Sequence, residues 1–301
     1  MTETEVRPED DGQSGQSSGG CFAQFLRRLV ILAALVLFWF ISNYTIKVTH
    51  DTIYTDKVSE EIKLMLISDL HGTDFGSNNT YLLSKIRDEK PDAVLIAGDM
   101  YTRDDDEGMD EATSLMTAIT CPVYFVCGEH DEYYDYTRLN NGNVHILNPY
   151  ENYNGVYKPG AFPIASDTLI VRGNLIDIVG VNYFDEPYNI AEYAVKDKKR
   201  FTIVLSHILS PEAVKSYGAD LSLSGDTHGG IVRLPLLGPA YYDNTWFPRV
   251  NDSFDGEIYD KGMFSLGATK AYVSAGLGAY PAPVRLFNRP EINVITIAPN
   301  K

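Results

Sequence analysis

Short apolar runs recur along the chain after about residue 60, and they restrict the fold more than any other feature of the sequence. The runs lie at residues 62–68, 93–98, 123–127, 175–181, 201–206 and 220–225. Continuous apolar runs of this length suit strands that are buried on both faces. Segments 81–90 and 109–119, which lie between the early runs, repeat apolar residues at helical spacing. The alternation therefore predicts βαβ units and an α/β fold.

A hairpin pattern interrupts this alternation at residues 168–181. The sequences TLIVRGN and LIDIVGV follow one another there, so we expect part of the sheet system to be mixed. The chain shows no internal repeat, and no Pro/Gly-rich linker divides it after residue 60. These observations predict a single catalytic domain over residues 47–301.

Polar residues follow five of the apolar runs at the point where the predicted strand ends. The groups are Asp69-Leu70-His71, Asp99, Glu129-His130-Asp131, His207 and Asp226-Thr227-His228. In parallel α/β sheets, ligands bind just beyond the carboxyl ends of the strands. We therefore expect these side chains to share one edge of the fold.

Each of these polar residues has an ordinary explanation when it is considered alone. An Asp after a strand often caps a helix, and a buried His often hydrogen-bonds a carbonyl group. The joint pattern of carboxylates and imidazoles is instead typical of a site for Mn, Fe, Zn or a similar divalent ion. We interpret Asp69, His71, Asp99 and His228 as the core of a metal centre.

The charge balance of the chain excludes some classes of partner. The formal net charge is −16, which argues against non-specific nucleic-acid binding because that needs many Lys and Arg contacts to phosphate. It also argues against a polybasic attachment to anionic lipid. Any phosphate chemistry must therefore draw its positive charge from a local source, and a metal ion would supply it.

An apolar segment precedes the predicted domain. No charged residue occurs from Leu29 to Ile46, eighteen residues that would form a helix of about 27 Å, just enough to cross a bilayer. Arg27 and Arg28 flank its N-terminal side, which the positive-inside rule places in the cytoplasm. We therefore predict a single-pass protein of the cell membrane with an extracytoplasmic catalytic domain. Residues 1–25 would be a disordered cytoplasmic arm and residues 26–46 a transmembrane signal-anchor.

Other interpretations of this segment remain open. The unbroken apolar run 29–41 also suits the h-region of a cleaved signal peptide, although no A-x-A-like cleavage site follows it. The twin arginines suit a twin-arginine export signal, but the residues around them match it poorly. A buried helix of a soluble protein is the third alternative.

The motif blocks resemble the signature of the calcineurin-like metallophosphoesterases, which reads D-x-H, G-D, G-N-H-[DE], a single His and G-H-x-H. They occur here in that order, as Asp69-Leu70-His71, Gly98-Asp99, Gly128-Glu129-His130-Asp131, His207 and Gly225-Asp226-Thr227-His228. The sequences SDLHG, DAVLIAGDM, GGIVRLP and FNRPEI are similar to the bacterial branch with an N-terminal membrane segment. The resemblance implies a metallophosphoesterase-type sandwich of two mixed β-sheets flanked by helices, in addition to the transmembrane helix.

The resemblance also implies two divalent metal ions at the strand ends. Asp69, His71 and His228 would hold the first ion, and Asp99 would bridge both. Mn is the first candidate for these ions, and Mg, Fe, Zn and Ni are the others. Two ions about 3.5–4 Å apart can clamp a phosphoryl group and activate the attacking water.

The second metal site departs from the family's pattern. His207 matches a ligand of the second ion, and His130 matches the residue that contacts the phosphate. Glu129 stands where the family has Asn, and Asp226 where it has the first His of G-H-x-H. Three outcomes are open: a harder ion such as Mn or Mg fills the site, the site is weak or empty, or one of the two carboxylates turns away to cap a helix or bond a backbone amide.

The leading hypothesis is a membrane-anchored phosphohydrolase that cleaves a phosphomonoester or phosphodiester with metal-activated water. Its location suggests a lipid-linked or cell-envelope substrate. The alternative is a degraded homologue that binds metal or a phosphorylated ligand without turnover. The aromatic stretch 241–248 is expected in the first place to pack on the domain; a position at the border of the cleft or in contact with the membrane is the alternative.

Overall fold

The computed structural model describes the greater part of the chain. The described residues are 18–102, 105–131, 136–139, 142–147, 164–181, 197–242, 245–247, 257–281 and 284–300. The chain divides into two compact units, Met1–Phe40 and Ile41–Lys301.

The N-terminal apolar segment forms a helix, α1, over Ser18–Tyr44. Its stretch Phe22–Tyr44 is long and apolar enough to cross a membrane, by length and composition, and a signal sequence near an N-terminus passes the same test. Of the arm predicted over residues 1–25, residues 1–17 lie outside the described part of the chain. The remainder, residues 18–25, is helical and includes Gly19 and Gly20; the sequence FAQFL continues the apolar segment toward the N-terminus.

The larger unit contains three further α-helices and sixteen strands among its described residues. The helices are α2 (Thr80–Glu89), α3 (Asp106–Ala118) and α4 (Pro211–Tyr217), and short 3-10 turns occupy Glu129–Asp131 and Tyr136–Leu139. The strands are β1 (Lys47–Thr55), β2 (Ile62–Ile67), β3 (Ala93–Ile96), β4 (Val123–Phe125), β5 (Val144–Ile146), β6 (Ile164–Val171), β7 (Asn174–Val181), β8 (Phe201–Ser206), β9 (Leu221–Ser224), β10 (Arg233–Leu234), β11 (Gly238–Pro239), β12 (Tyr241–Tyr242), β13 (Thr245–Trp246), β14 (Gly262–Leu266), β15 (Thr269–Val273) and β16 (Glu291–Pro299).

Twelve of these strands form two mixed six-stranded sheets, which confirms the predicted fold class. The order is β1-β16-β2-β3-β4-β5 in the first sheet and β14-β15-β9-β8-β7-β6 in the second. Strands β2, β3 and β4 are parallel neighbours, and so are β7, β8 and β9. The predicted hairpin is the antiparallel pair β6–β7. Within each parallel set the carboxyl ends of the strands lie at the same edge of the sheet. The polar groups that follow these strands therefore lie at that edge too.

Two long strands of the first sheet had no counterpart in the sequence prediction. Strand β1 pairs in parallel with β16, and β16 pairs antiparallel with β2. Lys47 lies opposite Glu291, and their side chains form a 2.9 Å ion pair. Strand β1 has the polar sequence KVTHDTIYT. It contains no apolar run that would predict a strand, and it forms one because it pairs with β16, which is distant in sequence.

The core consists of three apolar layers. The layer between the sheets contains side chains from both, among them Leu64, Leu95, Ile203 and Leu223. A second layer lies between the first sheet and helices α2 and α3, and a third between the second sheet and α4. The sheets are thus covered on both faces, and the polar groups at the strand ends lie at the edge of this sandwich.

Helices α2 and α3 confirm the predicted helical segments and show how local sequence sets them. Leu82 and Ile86, four residues apart, are buried on one face of α2. The side chain of Asp105 caps α3 by accepting a 3.0 Å hydrogen bond from the backbone amide of Gly108. This cap places the start of α3 inside the acidic run that begins near residue 104.

Candidate metal centre

Tight left-handed turns aim the polar side chains at the strand ends. Five of the predicted metal-binding residues have positive φ angles: Asp69 at 51°, His71 at 48°, Asp99 at 53°, Asp226 at 69° and His228 at 51°. A positive φ in a residue other than glycine costs about 1–3 kcal/mol and is concentrated at functional sites. The fold therefore accepts backbone strain to direct these side chains toward a common point.

The first cluster of ligand atoms joins the loops after β2 and β9. Asp69, His71 and His228 each direct one ligand atom to within 4.8 Å of the other two. The Nε2 atoms of His71 and His228 are 3.2 Å apart, and Oδ1 of Asp69 is 3.9 Å from Nε2 of His228. The second oxygen of Asp69, Oδ2, is buried and makes no hydrogen bond to any described residue. Two imidazole nitrogens and a buried carboxylate oxygen make a donor set that suits a divalent ion.

Glycines leave room for the Asp69 carboxylate. A Cβ atom placed on Gly225 or on Gly276 would lie only 2.7 Å from Oδ2 of Asp69. Gly276 also has a positive φ of 66°. A side chain at either position would therefore displace a predicted metal ligand, and at Gly276 the backbone conformation also favours glycine.

The second cluster shares Asp69 with the first. Asp69, Asp99 and His207 again place ligand atoms within 4.8 Å of one another. Oδ2 of Asp99 lies 3.4 Å from Nε2 of His207 and 3.7 Å from Nε2 of His71. Asp99 therefore lies between the two clusters, where the family resemblance expects a bridging ligand.

Hydrogen bonds hold the imidazoles in orientations suited to a metal. Nδ1 of His207 lies 2.7 Å from the carbonyl oxygen of Ala97, so it carries the proton and its Nε2 faces Asp99. The hydroxyl of Thr102 lies 3.3 Å from Nδ1 of His71. Such outer contacts select the tautomer of a metal-binding histidine and hold its ring in place.

Burial keeps the first pair of histidines neutral. Burial, followed by the neighbouring imidazole of His228, lowers the pKa of His71 to about 3. Burial likewise lowers the pKa of His228 to about 3, with the Arg285 guanidinium as the second cause. Both rings are therefore neutral at pH 7, which is the form that binds a metal.

The second cluster carries an excess of negative charge. Burial acts to lower the pKa of His207, but the carboxylates of Asp99, Asp69 and Asp226 outweigh it and raise that pKa well above its usual value. Burial acts to raise the pKa of Asp99, yet the charge of His207 dominates and lowers it to about 2. The carboxylates thus favour the protonated form of His207, and a bound divalent ion would balance the same negative charge.

The two departures from the family pattern occupy different environments. Glu129 belongs to none of the clusters found among the described residues; its side chain is 48% exposed and Oε1 lies 3.5 Å from Nε2 of His130. Oδ1 of Asp226 lies 3.8 Å from Nε2 of His207, on the side of the second cluster. Burial raises the pKa of Asp226 to about 6; His207 acts to lower it, and the charges of Asp69, Asp99 and Glu129 act to raise it.

His130 lies beside the other two clusters, and 12% of its side chain is exposed. It forms a third cluster of ligand atoms with His71 and Asp99, while its backbone amide donates a 3.0 Å hydrogen bond to Oδ1 of Asp99. The ring of Tyr280 stacks on His71 at a centroid distance of 5.0 Å and meets the His130 ring edge-on at 4.5 Å. Sequence reasoning gave Tyr280 no role, because no motif marks it.

Asp131 is a second residue whose role the sequence analysis missed. Its buried carboxylate accepts hydrogen bonds from the backbone amides of Asp99 at 2.6 Å, Met100 at 3.0 Å and Gly128 at 2.9 Å. Burial, followed by the charge of Asp99, raises the pKa of Asp131 to about 7. Its place at the end of the G-E-H-D block was the available signal. The carboxylate ties the loops after β3 and β4 together beneath the centre.

Arg285 and Asn288 hold the backbone of His228 in place through hydrogen bonds to its carbonyl oxygen. The fully buried guanidinium of Arg285 donates from Nε to the carbonyl oxygen of Gly278 at 2.8 Å and from Nη1 to that of His228 at 3.4 Å. The amide of Asn288 donates to the same His228 oxygen at 2.7 Å. These residues lie more than 50 positions beyond the last motif block, so only the folded chain brings them to the site.

The model of the calcineurin-like phosphoesterase family matches residues 62–230, which is more than half of the chain and includes every predicted site residue. The chain belongs to the calcineurin-like phosphoesterase family. It is accordingly a metal-dependent phosphoesterase, a hydrolase whose substrate is a phosphoester. The parallel strands and the carboxylate–imidazole clusters of this phosphoesterase are the structural counterpart of that family match.

The phosphoesterase is similar to several bacterial proteins over most of its length. It is 26% identical to the uncharacterized metallophosphoesterase YkuE of Bacillus subtilis, with 86% of this chain and 87% of that protein covered. It is 25% identical to an uncharacterized metallophosphoesterase of Helicobacter pylori, with 91% and 71% covered. A zebrafish protein named as a transmembrane protein with a metallophosphoesterase domain is 24% identical, with 93% and 64% covered.

Among solved structures, the phosphoesterase is similar to the NAD nucleotidase of Haemophilus influenzae. The sequence identity is 17% and the TM-score 0.47, with 72% of this chain and 45% of that chain covered.

Proposed function

We propose that this phosphoesterase is anchored in a cell membrane by α1 and hydrolyses a phosphomonoester or phosphodiester at a centre for two divalent ions. The observation that carries the proposal is the position of Asp99, whose Oδ2 lies within 3.7 Å of imidazole nitrogens from both clusters. Divalent ions bound there would activate water and neutralise charge on the phosphoryl group.

The first ion would be held by Asp69, His71 and His228. The 3.2 Å separation of the two Nε2 atoms and the buried Oδ2 of Asp69 support this assignment. The backbone amide of Asp226 donates a 3.0 Å hydrogen bond to Oδ1 of Asp69 and so fixes the carboxylate plane. Oriented, neutral histidines bind an ion without losing a proton at pH 7.

The second ion would be held by Asp99 and His207, with Asp226 as a further carboxylate. This set is richer in oxygen than the imidazole set of the family pattern. Oxygen-rich sites suit Mn and Mg, while imidazole-rich sites suit Zn, Fe and Ni. We therefore propose Mn as the preferred ion. Glu129 is assigned an indirect part in this site because it contacts His130 and belongs to none of the ligand clusters found among the described residues.

His130 would act on the substrate. Its ring lies beside the ligand clusters, where Nε2 could donate a hydrogen bond to a phosphate oxygen or a proton to the leaving oxygen. Oε1 of Glu129 lies 3.5 Å from that nitrogen, so Glu129 can help to hold the ring in position.

The substrate and the topology follow from the proposed anchor. Arg27 and Arg28 would keep the start of the helix in the cytoplasm, which places the domain outside. The zebrafish relative described as a transmembrane protein supports an anchor in this chain. A phosphoester carried by a lipid or by the cell envelope would then be within reach.

A degraded homologue that binds without turnover is the second candidate. Glu129 in place of a neutral ligand and the acidic Asp226 both add negative charge where an anionic substrate must approach. The position of Glu129 outside the ligand clusters also removes one family ligand from the second site.

One experiment separates the two candidates. The full chain is purified in detergent, its bound metals are measured, and hydrolysis of p-nitrophenyl phosphate and bis-p-nitrophenyl phosphate is followed with Mn, Mg, Zn, Fe and Ni. Hydrolysis that Asp99→Asn abolishes, and that the exposed control Asp88→Asn preserves, supports the enzyme. If no ion supports hydrolysis in the parent chain but Glu129→Asn with Asp226→His creates it, the degraded homologue is the correct assignment.

A further inference from the structure

We propose that an exposed apolar surface beside the metal centre rests on the bilayer that holds the anchor helix. We name this surface the hairpin patch; it consists of Leu236, Leu237, Tyr241, Trp246, Phe247 and Phe287. The inference rests on the proposed membrane anchor and adds a second point of membrane contact to it.

The hairpin patch exposes large apolar side chains to an unusual degree. Leu236, at the turn between β10 and β11, is 105% exposed, and Trp246 in β13 is 70% exposed. Leu237, Tyr241 and Phe287 are exposed as well. Packing on the domain was the leading expectation for the aromatic stretch 241–248, but its described aromatic side chains are largely turned outward. Exposed apolar surface gathered in one region typically marks a site of interaction.

Hydrogen bonds join the base of this surface to the residues that leave the anchor helix. The backbone amide of Arg285 donates to Oδ1 of Asn43 at 2.7 Å, and the Asn43 amide donates to the carbonyl oxygen of Arg285 at 3.3 Å. Nε of Arg289 donates to the carbonyl oxygen of Thr45 at 3.2 Å. Phe287 lies between these two arginines in sequence, so the chain around it is held beside residues 43–45.

A backbone ladder carries this connection into the rest of the patch. The amide of Arg233 donates to the carbonyl oxygen of Leu286 at 3.0 Å. The amide of Ala240 donates to Val232 at 2.8 Å, and the amide of Phe247 donates to Ala240 at 2.8 Å. Neighbouring strands are about 5 Å apart, so the ladder spans roughly 15 Å. The whole patch therefore lies close to residues that must sit at the membrane surface if α1 spans the bilayer.

The chemistry of the patch suits the interfacial layer of a bilayer. Trp and Tyr are enriched at membrane interfaces because their rings combine apolar area with a polar group. Leucine side chains at a turn can enter the layer beneath the headgroups. The chain as a whole carries a net charge of −16, so apolar contact and not attraction to anionic lipid would supply the binding energy. A bilayer already joined to this chain by its own anchor is the occupant that these contacts favour.

The patch is also connected to the metal centre. Gly229 and Gly230 alone separate His228 from the segment that leads into β10. The side chain of Arg233 in β10 hydrogen-bonds the carbonyl oxygen of Gly229 and pairs with Asp260. A patch seated on the bilayer would hold the loop of His228 near the headgroup layer, where a phosphoester of a lipid lies.

The two tryptophans of the chain allow a direct test. Trp39 lies in α1 and Trp246 in the patch, and the sequence contains no other tryptophan. The full chain with Trp39→Phe is reconstituted into phosphatidylcholine vesicles that carry brominated acyl chains, which quench tryptophan fluorescence on contact. We expect Trp246 emission to be quenched about twofold or more and shifted to the blue, with little change in 1 M NaCl, because the contact is apolar.

Matched variants control for the position of the quenched residue. Leu236→Ser with Leu237→Ser should reduce the quenching of Trp246, whereas Ile170→Ser should not. Ile170 is similarly exposed, at 72%, but lies in the β6–β7 hairpin outside the patch. The reciprocal variant Trp246→Phe leaves Trp39 as the reporter of the anchor.

Unquenched Trp246 emission overturns the inference. If Trp39 is still quenched in the same vesicles, α1 enters the bilayer but the patch does not contact it. If neither tryptophan is quenched, the proposed membrane anchor is wrong as well. Hydrolysis of the soluble bis-p-nitrophenyl phosphate reports separately on the proposed phosphohydrolase. If the leucine variants convert a dimer into a monomer in detergent while Trp246 stays unquenched, the patch is an interface between two copies.

Discussion

The carboxylate of Asp131 accepts a 2.6 Å hydrogen bond from the backbone amide of Asp99. Asp99 is the carboxylate that lies between the two ligand clusters, so the geometry of its turn decides where its oxygens point. Asp131 makes two further bonds to the same pair of loops, through the amides of Met100 and Gly128. Asp131 supplies no ligand atom to the clusters found among the described residues. It acts instead by fixing the backbone from which the Asp99 side chain projects.

Replacement of Asp131 by Asn should weaken metal binding more than catalysis. The Asn side chain turns one hydrogen-bond donor toward amides that also donate, so at least one of them loses its partner. Loss of such outer support typically costs 10–100-fold in metal affinity. We expect the metal concentration for half-maximal hydrolysis to rise by about that factor, while kcat at saturating metal changes little. An unchanged metal requirement would show that the three bonds do not position Asp99.

Gly276→Ala should abolish first-site metal binding. The added Cβ would lie 2.7 Å from Oδ2 of Asp69, in a backbone conformation with φ of 66° that alanine rarely adopts. Gly267→Ala is a matched control, because Gly267 has the same φ of 66° but open space around its Cβ position. Both variants should lose about 1–3 kcal/mol of unfolding free energy to backbone strain. Metal analysis should show loss of bound ion in Gly276→Ala only; equal loss in both would assign the effect to strain.

Asp226→His should change which metal the protein selects. Asp226 lies beside His207 at the second cluster, and the substitution exchanges a carboxylate for an imidazole. Imidazole-rich sites favour Zn, Ni and Fe over Mn and Mg. We expect the ratio of Zn-supported to Mn-supported hydrolysis to rise at least about tenfold, a change of about 1.4 kcal/mol in relative binding.

Glu129→Asn provides the comparison for this exchange. The Glu129 side chain is half exposed and belongs to none of the described ligand clusters. Its replacement should leave metal preference nearly unchanged, because the side chain supplies no ligand atom to those clusters. A change in metal preference as large as that of Asp226→His would place Glu129 among the ligands.

Removal of metal should lower the stability of the larger unit. Asp69, Asp99 and Asp226 crowd around one buried imidazole, and bound cations would relieve their repulsion. An ion at a hundredfold excess over its Kd stabilises the folded state by about 2.7 kcal/mol. Thermal unfolding followed by circular dichroism should therefore show a lower Tm after chelation and recovery after addition of Mn. Asp99→Asn should show a smaller shift, since its metal binding is already impaired.

The strands and the candidate site residues could be predicted from sequence because their signals are local. The run IKLMLIS is a buried strand in its own right, and Asp69 and His71 follow it directly. The same holds for Asp99 after β3 and for His207 after β8. Parallel pairing then brings these strand ends together, so the contents of the metal centre follow from order along the chain.

The remaining features depend on partners that are distant in sequence. Strand β1 is polar on its own and becomes the edge of the first sheet only through β16, 244 positions away at the Lys47–Glu291 pair. Arg285 reaches His228 only after the chain has crossed both sheets. The position of Trp246 likewise depends on the backbone hydrogen bonds that connect its strand to residues 285–287. Its aromatic neighbours in sequence do not determine it.

Glu129 and Asp226 show the difference between the two kinds of information most clearly. Sequence alone specifies that both ligand positions have become carboxylates, because residue identity at a motif position needs no coordinates. Their separate environments, one half exposed beside His130 and one beside His207, arise from how the loops after β4 and β9 pack. Local patterns encode which groups a strand end offers, whereas the distances and charges between those groups exist only once the two sheets have assembled.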